Sequence, residues 1–219
     1  MIKGLVFDFD GIILDSETTE LLAWKEVYSQ YGQEFPEEKY KQAIGSIYND
    51  PFPFINLEEL TNKKLDQVQI FDQIRSRAND LLENEHMLPG VVGYLDSAKS
   101  MDLKVGLASS SKGEWVFHHI DRLGIRHYFN CISVLEDVSN PKPDPELFLR
   151  TLSHLGISGL EAIAFEDSFN GTLAAKQAGM HVVAIPNQAT SSMNFEMADL
   201  VVGSLADLPL SDLISFFAH

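Results

Sequence analysis

The sequence predicts an α/β fold, a doubly wound parallel sheet with a Rossmann-like core and an inserted all-helical cap. Three observations predict it. Short, continuous apolar runs of the kind buried on both faces alternate with helical patterns from Val91 onward. A long stretch with helical periodicity only follows the first such run, and the runs end in acids or hydroxyls, where open α/β sheets bind ligands.

Gly4-Leu5-Val6-Phe7 is the first strand, and it ends in Asp8-Phe9-Asp10-Gly11. From Ser16 to about Tyr31, residues Leu21, Trp24, Val27, Tyr28 and Tyr31 recur at spacings of three and four, which predicts a helix. Further helices are expected over 37–44, 52–60 and 66–82, with no strand between them. Residues 15–88 therefore read as a cap, and 1–14 with 89–219 as the core. Pro89-Gly90 closes the insertion. Strands follow over 104–108, 131–134, 162–165, 181–185 and 200–202, with helices over 91–101, 113–123, 146–155 and 172–178. A cap placed after strand one would cover the carboxyl ends of the strands.

The chain has 219 residues, of which 45% are hydrophobic and 22% charged, enough apolar material for a globular core. Lys+Arg is 16 against Asp+Glu 32, a net charge of -16, which repels nucleic acid and anionic membranes and excludes non-specific phosphate-backbone binding. A phosphate site would need local positive charge from a metal, a lysine or backbone amides. One cysteine, Cys131, excludes an intramolecular disulfide framework and a Cys-based zinc site. With no signal-like N-terminus and no apolar run of about 18 residues, a cytoplasmic location is expected. Nothing suggests more than a monomer.

Four segments carry chemistry. Asp8 and Asp10 stand two apart at the end of an apolar strand, where like charges raise a pKa or demand a cation; Mg²⁺, a hard ion that takes oxygen ligands, is the economical one. Gly11 permits a tight turn and close approach to an anion. A second apolar strand ends in Glu166-Asp167, and a third runs into Ser109-Ser110-Ser111-Lys112-Gly113, hydroxyls and amides suited to an anion. Lys142 lies in Pro141-Lys142-Pro143, where prolines stiffen the loop that presents it. Each segment alone has a plainer reading: a turn cap, a helix N-cap, a Ser cap, a solvated lysine. Together, in order and each at a strand end, they are far more specific.

Asp8-Phe-Asp-Gly-Ile-Ile-Leu-Asp15-Ser-Glu17, Leu107-Ala-Ser109-Ser110-Ser, Pro141-Lys142-Pro143 and Phe165-Glu166-Asp167-Ser168 resemble the four motifs of the haloacid dehalogenase superfamily. The chain is similar to the branch with a helical cap after strand one, which contains sugar-phosphate phosphatases and beta-phosphoglucomutase. The resemblance implies that Asp8 is the nucleophile that forms an aspartyl-phosphate and Asp10 the general acid and base. It implies Mg²⁺ held by Asp8, Asp167 and the Asp10 backbone carbonyl, with Glu166 an outer or alternate ligand. Ser109 and Lys142 would hold phosphoryl oxygens, with backbone amides near Asp10, Gly11 and Ser110 assisting. The implied partner is a small phosphorylated metabolite.

Phosphatase and mutase share these parts, so the cap must separate them. Glu20 stands where the mutase has a histidine, and Gly45-Ser46-Ile47-Tyr48 where it has an arginine, both changes that reduce support for a second phosphate. Hydrolysis of a phosphomonoester is favoured over mutase-type transfer. Trp24, Ile44, Phe52 and Phe54 could shape a cap pocket, although such stripes are more often core. Lys25, Lys39, Lys41, Lys63, Lys64, Arg75 and Arg77 read as solvated faces. A phospho-accepting receiver domain is the contrasting class; the cap and the extra length argue against it, and a binding protein of this fold is the remaining alternative.

Overall fold

The computed structural model describes residues 1–43, 52–83 and 85–217. Six parallel strands form one sheet: β1 (Gly4–Phe7), β2 (Lys104–Ala108), β3 (Cys131–Ser133), β4 (Ala162–Glu166), β5 (His181–Ala184) and β6 (Leu200–Val201), in the order β3-β2-β1-β4-β5-β6. This order places the topological switch between β1 and β4, where successive connections leave the sheet in opposite directions. Phe7 is in register with both Leu107 and Phe165, so the residues that follow, Asp8, Ala108 and Glu166, emerge side by side, with Ser109 one residue further along. The sequence periods alone could suggest adjacency of these ends; the strand pairing supplies it.

Alternation along the strands sorts the core into two layers. Leu5, Phe7, Leu107, Ile163 and Phe165 face α5 (Val91–Ser100), α6 (Gly113–Arg122) and α9 (Leu210–Phe216). Val6, Ala108, Ala162, Ala164 and Val182 face α7 (Glu146–Leu155) and α8 (Phe169–Gln177). Helix α8 begins three residues before the expected 172 because the Ser168 side chain accepts from Gly171 N–H and caps the helix there. Helix α9 was not anticipated from the sequence.

Between β1 and β2 lie α1 (Ser16–Gln30), α2 (Glu37–Ala43), α3 (Phe54–Thr61) and α4 (Gln67–Leu82), so among the described residues the insertion holds helices and no strand. These helices bury a cluster of their own, including Leu21, Trp24, Val27, Tyr28, Tyr40, Phe54, Leu57, Ile70 and Ile74, with Ala189 from the core reaching into it. Trp24, Phe52 and Phe54 are thus packing residues and not pocket walls, because the small insertion needs their area for a core of its own. Ile44 and Gly45-Ser46-Ile47-Tyr48 lie outside the described residues. The two crossings between core and insertion are tied together by Leu88 N–H donating to Ile13 O at 2.9 Å. Among the described residues, no helix is long and apolar enough to cross a membrane.

Leu57 is fully buried in the insertion cluster. Leu57→Ala is expected to cost about 2–5 kcal/mol, the usual range for a truncated core leucine. Urea unfolding followed by tryptophan fluorescence reads it, since Trp24 sits in the same cluster; an unchanged midpoint would refute the packing described.

Candidate active site

A cavity of about 970 Å³ opens between the carboxyl ends of the strands and the insertion. Its floor holds Asp8, Asp10, Ser109, Ser110, Lys142 and Asp167. Asp8, Glu166 and Asp167 each offer an oxygen to a group whose members lie within 4.8 Å of one another. All three are buried, at 8%, 0% and 3% exposure, so water does little to separate their charges.

Lys142 is the ammonium set against them. Its Nζ lies 2.9 Å from Asp8 Oδ1, 2.6 Å from Glu166 Oε1 and 2.8 Å from Ala108 O, which accounts for its three protons. Burial opposes its charge, but Asp8 and Glu166 prevail and hold the ammonium protonated above its ordinary range. One ammonium does not balance the acids. Burial first, then Glu166 and Asp10 against the opposing Lys142, push the Asp8 carboxyl from 3.8 up to about 8. Asp167 is raised well above the usual carboxylate range by burial and by Glu17, Asp8 and Glu166. Glu17, on the first turn of α1, is raised well above it too, by burial and then by Glu20 and Asp10. Such a set of hard oxygen donors with uncompensated charge fits a divalent cation.

Local structure explains how the acids come so close. Gly11 has φ +74, and a Cβ there would stand 2.0 Å from Asp167 Oδ2, so only glycine lets this turn pass beneath the carboxylate. Its amide donates to Leu14 O at 2.8 Å. The turn itself uses that amide here, and Gly11 contributes space beneath the acid. Gly171 does the same for Glu166, whose Oε2 lies 1.9 Å from where a Cβ would be. Ser109 is buried and accepts from Ser111 N–H at 3.0 Å, while Ser110 Oγ accepts from Lys142 N–H at 3.3 Å and ties the lysine loop to the end of β2.

Asp10 does not join the carboxylate cluster through its side chain. Ser16 Oγ at 2.5 Å and Trp115 Nε1 at 3.0 Å donate to its Oδ1, and Ser111 Oγ at 2.5 Å donates to its Oδ2. Sequence reasoning missed these donors, because hydroxyls and an indole on three separate segments carry no spacing signal. It also missed Asn187, whose Nδ2 donates to Asp167 Oδ2 at 2.7 Å. Phe71, Ile74, Arg75, Ala78, Asn79 and Leu82 of α4 line the cavity opposite, a stripe at helical spacing indistinguishable in sequence from a core face. Arg75, read as solvated, is exposed yet belongs to this wall. His119 of α6 is buried at 3% exposure and packs against Phe9 and Trp115.

The family model described as haloacid dehalogenase-like hydrolase matches residues 5–185. The chain belongs to that family. The hydrolase is 42% identical over 214 residues to "Putative phosphatase YhcW" of Bacillus subtilis (strain 168), spanning 98% of this chain and 97% of that protein. It is 28% identical over 206 residues to "Phosphorylated carbohydrates phosphatase" of Thermotoga maritima, spanning 93% of each. Among solved structures it superposes on beta-phosphoglucomutase from Clostridium difficile with a TM-score of 0.76 at 26% identity, covering 99% of this chain and 97% of that one. The hydrolase is a phosphatase of its family, related to sugar-phosphate phosphatases and to beta-phosphoglucomutase.

Two outcomes test this geometry. Gly11→Ala is expected to displace Asp167 and lower turnover by about 100-fold, the order that a misplacement of about 1 Å costs, with the secondary structure by circular dichroism unchanged. The raised Asp8 pKa means that the folded hydrolase keeps a proton the unfolded chain releases between about pH 4 and 8. Stability in a chelator therefore falls as pH rises through that window. Thermal midpoints in EDTA should decline from about pH 5 to 8, and less steeply in Asp8→Asn; a midpoint that climbs would contradict the charge balance described.

Proposed function

We propose that the hydrolase is a Mg²⁺-dependent phosphatase that cleaves a small phosphomonoester, a sugar phosphate, through an aspartyl-phosphate. The observation that carries this reading is the packing of Asp8, Glu166 and Asp167 within 4.8 Å of one another beside the buried Lys142, on the floor of a cavity large enough for a sugar. Nucleophile, cation ligands and phosphate-facing ammonium would then share one place.

Asp8 attacks phosphorus, and an Asp8–phosphorus bond forms as the bond to the leaving oxygen breaks. Asp10 gives its proton to that oxygen, so the alcohol leaves neutral. Water then attacks the aspartyl-phosphate, gives its proton to Asp10, and phosphate departs with Asp8 restored. Lys142 and Ser109 stabilise charge on the phosphoryl oxygens, and Glu166 holds Lys142 in place from the far side. Mg²⁺ would be held by Asp8, Asp167 and the Asp10 carbonyl, with Glu166 within reach, and would supply charge neutralisation that the lysine alone does not.

Sugar hydroxyls suit the rest of the cavity. Glu17, Glu20, Asn79 and Ser110 present oxygens and an amide to it, while Phe71 and Ile74 present apolar faces. The acids of α1 also favour hydrolysis over mutase-type transfer, because Glu17 and Glu20 line the cavity where the second phosphate of a bisphosphate would need cationic support, and a carboxyl group offers none. With this balance of charge, a monomeric, cytoplasmic catalyst acting on a free metabolite is the consistent picture.

Phosphate release over a panel of phosphorylated metabolites, with and without Mg²⁺, tests the reading. Repeated Mg²⁺-dependent turnover of sugar monophosphates is expected, whereas glucose 6-phosphate formed from beta-glucose 1-phosphate would establish the mutase reaction instead. Asp8→Asn should lose at least about 1,000-fold in kcat while staying folded, as removal of a nucleophile does; near-normal activity would reject the mechanism. Mg²⁺ should also raise the thermal midpoint more at about pH 8 than at pH 5, where protons compete for the same carboxylates.

A further inference from the structure

We infer that Trp115 is a positioning residue for this hydrolysis: its indole N–H holds Oδ1 of Asp10 as an acceptor, so that the proton Asp10 exchanges is carried on Oδ2. The inference rests on the proposed role of Asp10 as general acid and names what aims it.

Three donors surround the Asp10 carboxylate, and they are not equivalent. Ser16 and Ser111 are hydroxyls, which rotate and either donate or accept. The indole N–H of Trp115 only donates, at 3.0 Å to Oδ1. When Asp10 carries a proton, the better acceptor of its two oxygens is the carbonyl oxygen, and that is the one an obligatory donor selects. Oδ1 therefore stays the acceptor, and Oδ2 is left to bear the proton, with Ser111 Oγ at 2.5 Å able to turn and accept it. A carboxylate free to spin would divide its proton between two oxygens, half of the time presenting the wrong one.

The indole is itself held. Trp115 lies in the second turn-forming position after Gly113, whose N–H donates to Glu136 Oε2 at 2.9 Å and anchors the start of α6. Its ring meets His119 edge-on, with centroids 4.2 Å apart, and buried His119 in turn stacks on Phe9, between the two aspartates. Arg122 Nε lies 3.4 Å from His119 Nδ1 one turn further along. Trp115, His119 and Arg122 thus share a face of α6, and the donor is fixed to the core. Ser16, by contrast, opens the insertion. Being neutral, the indole also orients an acid without attracting the phosphate away from Lys142.

Leaving-group dependence tests this, since general acid assistance matters for a poor leaving group and little for a good one. Phenyl phosphate and p-nitrophenyl phosphate are nearly the same size, but phenol is far the weaker acid. The readout is kcat/KM, which ends at departure of the alcohol and excludes later hydrolysis of the aspartyl-phosphate. Trp115→Phe keeps a ring against His119 and removes the N–H. It should lower kcat/KM for phenyl phosphate about 10-fold, a part of the 10²–10⁴ that general acid catalysis contributes, and leave p-nitrophenyl phosphate within about twofold. The p-nitrophenyl phosphate rate reports that the site is assembled. Parallel losses on both substrates, or no loss on either, would overturn the inference. Asp10→Asn is the reference: it should show the same discrimination more strongly. If it does and Trp115→Phe does not, only the role of Trp115 falls; if Asp10→Asn fails to discriminate, the general-acid assignment falls and this inference with it.

Discussion

An excess of buried negative charge at the mouth of the sheet is the constraint around which this molecule is arranged. Asp8, Glu166 and Asp167 converge within 4.8 Å, Glu17 adds its field from the first turn of α1, and one buried ammonium, Lys142, faces them. Carboxylates do not gather out of water without protons, a cation or a strong partner. The fold supplies the partner through a proline-flanked loop tied to Ser110, and the unbalanced remainder is what makes the site receptive to a divalent cation. The surface charge of -16 gives no general attraction for phosphate, so affinity must be local.

The parallel sheet makes the convergence possible. Strand order reverses at β1, so the ends of β1 and β4 are neighbours with connections leaving to opposite sides and a crevice between. Each acid then needs space beneath it, and glycines provide it: Gly11 under Asp167 and Gly171 against Glu166. Second contacts lock the result. Asn187 holds Asp167 from the loop after β5, and that same loop sends Ala189 into the cluster of the insertion, so the acid site and the cap share a support.

The insertion has a divided role. Its own cluster consumes Trp24, Tyr28, Phe54 and Leu57 to make four helices cohere, and α4 turns the face containing Phe71, Arg75 and Asn79 toward the cavity. The buried acids come from strand ends, and the opposite wall of the cavity from a helix that carries none of the four motifs. Helix α6 connects the levels: Trp115 reaches Asp10, and Arg122, two turns later, donates to Glu83 O and Glu85 O where the chain returns from the insertion. The residue that donates to Asp10 and the residue that clasps the return crossing therefore sit on one helix, two turns apart.

Most of the architecture was legible in residue order. Short continuous apolar runs and stripes with period three and four are local signals, so β1 to β6 and α1 to α8 fall near their expected places, and the strand-end acids, serines and lysine stand out because each follows its own run. Helix α9 and the early start of α8 escaped, the first for a short stretch with weak patterning and the second because a side-chain cap sets it. Glycine at position 11 was legible as a turn, but the use of its amide was not, since the acceptor Leu14 O is chosen by the path of the chain. By itself the sequence determined the α/β class, the inserted helices and the identity of the acids, because these depend on neighbours along the chain. Only the tertiary structure decided that Asp10 answers to Ser16, Ser111 and Trp115, that Asn187 braces Asp167 and that α4 walls the cavity, because hydrogen bonds and cavity faces join residues up to 105 positions apart and leave no periodic trace.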